Sequence, residues 1–319
     1  MRITMVILPY LARISYLISL FIISFLIVLS LPIGYYAMMS GQLEGIDIGI
    51  NIPFIIFGLP LLSGVRITVF SLFITLSIIY GAIILKAFVE KGNHFWNVSK
   101  RIYKTGFTSI TDNTIILVCT AFSGLVLVSW GINLFQTFIG IETGSIVERA
   151  AALQFTSVSL APIIEEVGFR VTIIGIVVGW FALYRRGFTG AILAIFVPWS
   201  VYIDMEKKEK LVVWLSILLS AIAFGFAHIA FGGGWKIGKV APALISGIIL
   251  GWIFLRKGFI GAVILHWLFN YFDSAYRYFE IVTGFSFFSS LVDISIILLG
   301  IMTIVLLGHR LTISESRLT

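Results

Sequence analysis

An all-α fold, a polytopic transmembrane helical bundle of about eight spans, is predicted by three observations. Of 319 residues, 59% are hydrophobic and 12% charged, about half the charge of a soluble domain, and mean hydropathy is +1.08. The apolar residues form runs of about 20, enough for a helix to cross about 30 Å of hydrocarbon. Lys and Arg fall in short bursts between those runs, as juxtamembrane charges do. The net charge of +7 therefore reports topology and implies no nucleic-acid partner. The protein is expected to be integral and multi-pass, in the cell membrane, with the lipid bilayer as its surroundings. Its one cysteine, Cys119, lies inside an apolar run, which excludes a disulfide framework and a thiolate metal site.

In chain order, spans are expected at 16–38, 67–88, 114–138, 152–184, 211–231, 240–256, 258–273 and 287–308. The first run follows Arg2 and Arg13 and is too long for a signal-peptide core, so it reads as a membrane anchor. Loop 39–66 holds Gly, Pro, Glu44 and Asp47, with a membrane-dipping piece at 52–63. Connector 86–113 carries Lys86, Lys91, Lys100, Arg101 and Lys104 and reads as cytoplasmic. Segment 188–203 is short, contains Pro198-Trp199, and is followed by the charged 204–210. No repeat segment is evident.

Charge counting decides whether 188–203 crosses. If it does not, and the N-terminus is inside, sixteen Lys and Arg lie inside. Five lie outside: Arg66, Arg149, Lys236, Lys239 and Arg277. If it crosses, the split falls to twelve against nine. The positive-inside rule favours eight spans with both termini inside. Gly175 and Gly179, and Gly247 and Gly251, have the four-residue spacing that lets helix backbones approach closely.

Charges within the spans mark the chemistry. Glu165, Glu166 and Arg170 interrupt the apolar stretch 151–184, where each costs about 2.5–3.5 kcal/mol or more. On a helix Glu166 and Arg170 stand four apart and pair, while Glu165 points about 100° away. A spare carboxylate in low dielectric suits a general base. Its structural alternative is that both glutamates only neutralise Arg170. His228, in Phe224-Gly-Phe-Ala-His228, and His266, four before Asn270, are the histidines deep in spans. With eight spans, Glu165, His228 and Asn270 lie about 30, 26 and 18 Å from the Lys/Arg-rich side. They converge in one half of the membrane; nine spans would separate them. A carboxylate holding water, with His and Asn donors aimed at a carbonyl oxygen, is a peptidase arrangement. Zinc on Glu165, His228 and His266 is the minor alternative, since no H-E-x-x-H spacing is present. A non-enzymatic immunity or binding protein, or a small transporter using the same cluster, is the competing class.

Glu165-Glu166-x-x-x-Arg170, Phe224-x-x-x-His228 and His266-x-x-x-Asn270, in that order on successive helices, resemble the CPBP membrane peptidases, the CAAX-prenyl endopeptidase and Abi group. The resemblance covers 152–273. It implies an eight-helix intramembrane protease without cofactor, acting on a membrane-associated peptide, C-terminally prenylated in the CAAX branch. It implies that Glu165 activates water with His228, that His266 and Asn270 form the oxyanion hole, and that Glu166 and Arg170 orient the helix and tune Glu165. The expected organisation is three spans over 1–150, a catalytic core over 151–273, and a last span with its tail over 274–319. The departure is length: 62 residues separate Glu166 from His228, and the excess corresponds to 188–210. CAAX processing also implies a site open to the cytoplasm, whereas charge counting puts this one in the outer half.

Overall fold

The computed structural model describes residues 2–145 and 150–315. Its main elements are α1 (Arg2–Met39), a hairpin of β1 (Gly49–Ile56) and β2 (Leu59–Thr68), α2 (Val69–Phe88), α3 (Phe95–Thr105) and α4 (Thr114–Phe138). They continue with α5 (Ala151–Glu166), a π-helical segment (Val167–Gly175), α6 (Ile176–Phe196) and α7 (Lys207–Phe231). The last are α8 (Val240–Trp267), a second π-helical segment (Leu268–Phe272), α9 (Asp273–Thr283) and α10 (Phe287–Glu315).

Seven helical runs among the described residues are long and apolar enough to cross a membrane. The run Ile237–Thr283, at 47 residues, is two crossings. It breaks at Gly258, with φ 71° and ψ −169°, and Ser246 and His266 then line one cavity from its two arms. The run Ala151–Phe196 also breaks, at Gly187 with φ 67° and ψ −173°. A Cβ on Gly175 or Gly179 would meet Ile195, so the arm after Gly187 folds back along α6. That arm spans 188–196, about 13 Å as helix, too short to cross about 30 Å. Arg186 then pairs with Asp204 at 3.0 Å and Arg185 with Glu209 at 2.5 Å, so 188–203 enters and leaves at one level. The result is eight crossings, as charge counting expects.

The two ends are fixed by different contacts. At the Lys/Arg-rich end Lys257 reaches Glu90 at 3.0 Å and the Asp112 carbonyl at 2.7 Å, while Arg256 stacks over Trp199 at 3.9 Å. At the other end the loop after α4 meets the loop before α8: Lys236 N donates to the Thr143 carbonyl at 2.9 Å and Gly238 N to that of Glu142 at 3.0 Å. Both glycine pairs act as their spacing predicts, because a Cβ on Gly247 would lie 2.9 Å from the Ala221 Cα of α7.

Segment 49–68 is an antiparallel hairpin, which departs from the expected all-helical structure. Pairing satisfies the backbone groups that face the partner strand and leaves those on the two outer edges open. Phe54, Phe57, Leu59 and Leu61 are more than half exposed, giving the hairpin an apolar surface. Its tip docks on the first π-helical segment: Gly58 N donates to the Gly168 carbonyl and Phe57 N to Thr172 Oγ1, both at 3.2 Å. The piece expected to dip at 52–63 falls within this hairpin, a form that the amino-acid sequence leaves unspecified.

Behind the second arm of α8 stands an aromatic stack. Tyr80 lies 5.0 Å from Trp267, Trp267 4.6 Å from Tyr271, and Tyr271 5.1 Å from Phe155. Such pairs each add about 0.5–1.5 kcal/mol beyond the area they bury. Their hydroxyls cap carbonyls of other helices, Tyr80 on Ser159 at 2.7 Å and Tyr271 on Ser30 at 3.2 Å. This wall fixes the arm that carries His266.

Candidate active site

Glu166 and Arg170 form the buried base of the site. Both side chains are fully buried, with Arg170 Nη1 3.1 Å from Glu166 Oε1. The contact is an ion pair by distance but lacks hydrogen-bond angles, and Arg170 Nε and Nη2 have no hydrogen-bond partner among the described residues. The Phe224 ring compensates part of this, lying 4.3 Å from the guanidinium carbon. Phe224 is the hub of the cluster, because its ring also meets those of His228 at 4.7 Å and His266 at 5.5 Å.

His266 sits between the two glutamates. Its Nδ1 is 2.8 Å from Glu166 Oε1 and its Nε2 3.6 Å from Glu165 Oε2. An Nδ1–H donated to Glu166 leaves Nε2 to face the second carboxylate, so the three groups form a proton-sharing chain. The outer gap exceeds hydrogen-bond length and accommodates a bridging water or a small approach. Glu165 is 24% exposed where Glu166 is fully buried, which separates a reachable carboxylate from a structural one. His228 lies across Phe224, its Nδ1 2.8 Å from the Phe224 carbonyl. That bond makes Nδ1 the donor and leaves Nε2 as an acceptor.

His228, His266 and Asn270 line one cavity of about 480 Å³. It runs between α4, α7, both arms of α8 and α10, with Asn133, Thr143 and Trp235 on its wall near the end opposite Lys257. At that end Lys236 donates a hydrogen bond to Glu142, which holds the Glu142 carboxyl below its ordinary value. Two π-helical segments flank the site: Glu166 directly precedes the first and Asn270 lies in the second. A π-turn widens the helix and redirects side chains, and such turns recur at functional sites.

The structure thus brings together Glu166, Arg170, Phe224, His228 and His266, sets Glu165 beside His266, and adds Asn270 through the cavity. Two features escape sequence reasoning. Helical phasing assigns Glu166 to Arg170 alone, because no local spacing reports a contact with His266 a hundred residues away. Lys239 counts only as a loop charge, yet it lines the cavity with its Nζ 4.0 Å from the Trp235 ring centre. Among the described residues no group of three His, Cys, Asp or Glu side chains converges to hold a metal ion. Glu165 and His266 face each other at 3.6 Å, and His228 joins them in no such group.

Residues 146–272 match the family described as Type II CAAX prenyl endopeptidase Rce1-like. No curated protein and no solved structure matches the chain. All seven motif residues fall inside the matched segment, on helices of a multi-pass membrane bundle. Over residues 146–272 the chain is similar to the CAAX-type membrane endopeptidases, the group that its three motifs resemble.

Proposed function

We propose that this domain hydrolyses a peptide bond in a membrane-associated peptide or protein, with Glu165 as the base. The observation that carries the reading is the chain Glu165–His266–Glu166, at 3.6 and 2.8 Å. Glu165 takes a proton from water, and the resulting hydroxide attacks the scissile carbonyl carbon. Asn270, whose amide donates two N–H groups, stabilises the oxyanion. His228, with Nδ1 committed to a carbonyl, accepts from the water through Nε2. The C–N bond then breaks, and the proton held between Glu165 and His266 passes to the departing amine. This differs from the duty implied by resemblance: His266 holds a proton between two carboxylates instead of donating to the oxyanion. Glu166 fixes the His266 tautomer, and Arg170 balances the buried charge. The chemistry is proposed to need no metal.

The test is cleavage of membrane peptides, prenylated and unprenylated, by purified protein in bilayers. The expected result is two fragments with a new amine terminus, at a rate a chelator leaves unchanged. Absence of product from every peptide contradicts the peptidase reading. Chelator inhibition reversed by zinc contradicts the metal-free one.

A further inference from the structure

We propose that the catalytic cavity opens to the extracytoplasmic face, so that its substrates are peptide segments exposed at the outer surface of the membrane. The two ends of the bundle differ sharply in charge. One end collects the connector 86–113, the turn at Arg185-Arg186 with Asp204 and Glu209, and the turn at Arg256-Lys257, held together by the ion pairs of Lys257 with Glu90 and Arg186 with Asp204. With 188–203 returning to its own side, sixteen Lys and Arg belong to this end and five to the other. The connecting segments are all short enough for the positive-inside rule to apply. The Lys/Arg-rich end is therefore cytoplasmic.

The cavity lies at the other end. Asn133, Thr143 and Trp235 line it at that end, and Asp273, Arg277 and Asp293 line it farther along. His228 stands within one turn of Phe231, where α7 finishes at that same end. His266, by contrast, is eight residues past the turn at Gly258, farther from that end. The cavity thus runs from the outer surface inward to His266. Its lining mixes an ammonium, carboxylates and amides with aromatic rings, which matches an extended peptide carrying polar side chains. A CAAX-type site serving cytoplasmic proteins would open the other way. The orientation stands on charge and geometry alone; the identity of the substrate rests on the peptidase reading.

Single cysteines test it. In a Cys119→Ser background, Glu142→Cys and Phe285→Cys mark the cavity end, and Lys91→Cys and Lys207→Cys the opposite end. With a membrane-impermeant maleimide on intact cells, positions 142 and 285 are expected to label, and 91 and 207 only after permeabilisation. The inverse pattern, or labelling at both ends, overturns the proposal while leaving the catalytic cluster untouched. A membrane-impermeant peptide is a second readout on the unmodified protein, expected to be cut by intact cells; cutting confined to inverted vesicles overturns the proposal. Outer labelling without cutting in either preparation upholds the orientation and counts against the peptidase reading.

Discussion

Two helical hairpins in this protein begin with almost the same residues and do different things. Arg185-Arg186-Gly187-Phe188-Thr189-Gly190-Ala191 and Arg256-Lys257-Gly258-Phe259-Ile260-Gly261-Ala262 differ at two positions. Their central glycines adopt nearly one conformation, φ 67° and 71°, a region where a Cβ is strained and glycine is not. The local pattern therefore encodes the reversal. The residues beyond the shared pattern decide the role: the arm after Gly187 stops at Phe196, before Pro198, whose ring cannot continue the helix. The arm after Gly258 meets no proline, and carries His266 where the shorter arm has Ile195, and Asn270 where it has Trp199. One hairpin became a re-entrant wedge, with Arg256 stacked on Trp199, and the other became the bearer of the site.

The fastenings of the two hairpins differ most. The catalytic one is tied to the helix 151–186 through His266 on fully buried Glu166, the re-entrant one through the exposed pair Arg186–Asp204. Glu166→Ala strands Arg170 and removes the acceptor of His266, so a loss of about 3–5 kcal/mol is expected. Arg186→Ala is expected to cost at most about 1 kcal/mol. Unfolding in detergent measures both, and equal melting of the two variants would erase the distinction.

Next in size is turnover. His266→Ala and Asn270→Ala are each expected to slow peptide cleavage by about 10²–10³, the first as loss of a positioned proton carrier and the second as loss of an oxyanion donor. Ile195→Ala, at the matching position of the other hairpin, should cleave at the wild-type rate. A comparable loss from Ile195→Ala would mean that packing, not chemistry, sets the rate.

The glycines themselves give the smallest contrast. Gly187→Ala meets nothing within 4 Å and carries only the backbone penalty of a region nearly confined to glycine, about 1–3 kcal/mol. Gly258→Ala adds a Cβ 2.6 Å from the Phe196 carbonyl oxygen, so its melting temperature should fall further. The reverse order would contradict the packing of the wedge on the catalytic turn.

These contrasts show what was legible from sequence. Spans, their number and the seven motif residues were legible because hydropathy, charge bias and four-residue spacing are local signals. The repeated turn was not, because it covers a few residues in otherwise different segments and yields no repeat at domain scale. The strands at 49–68 hid within apolar residues that serve a helix equally well, even though Pro53 and Pro60 disfavour one. The grip of Glu166 on His266 joins helices far apart in the chain, and only packing reveals it.

The central claim is that Glu165 is a base distinct from its structural neighbour Glu166. Glu165→Gln tests it most directly, since the amide is nearly isosteric but cannot take a proton from water. In purified protein, peptide cleavage is expected to vanish while peptide binding and the melting temperature stay at wild-type values. Wild-type turnover by Glu165→Gln protein would contradict the assignment.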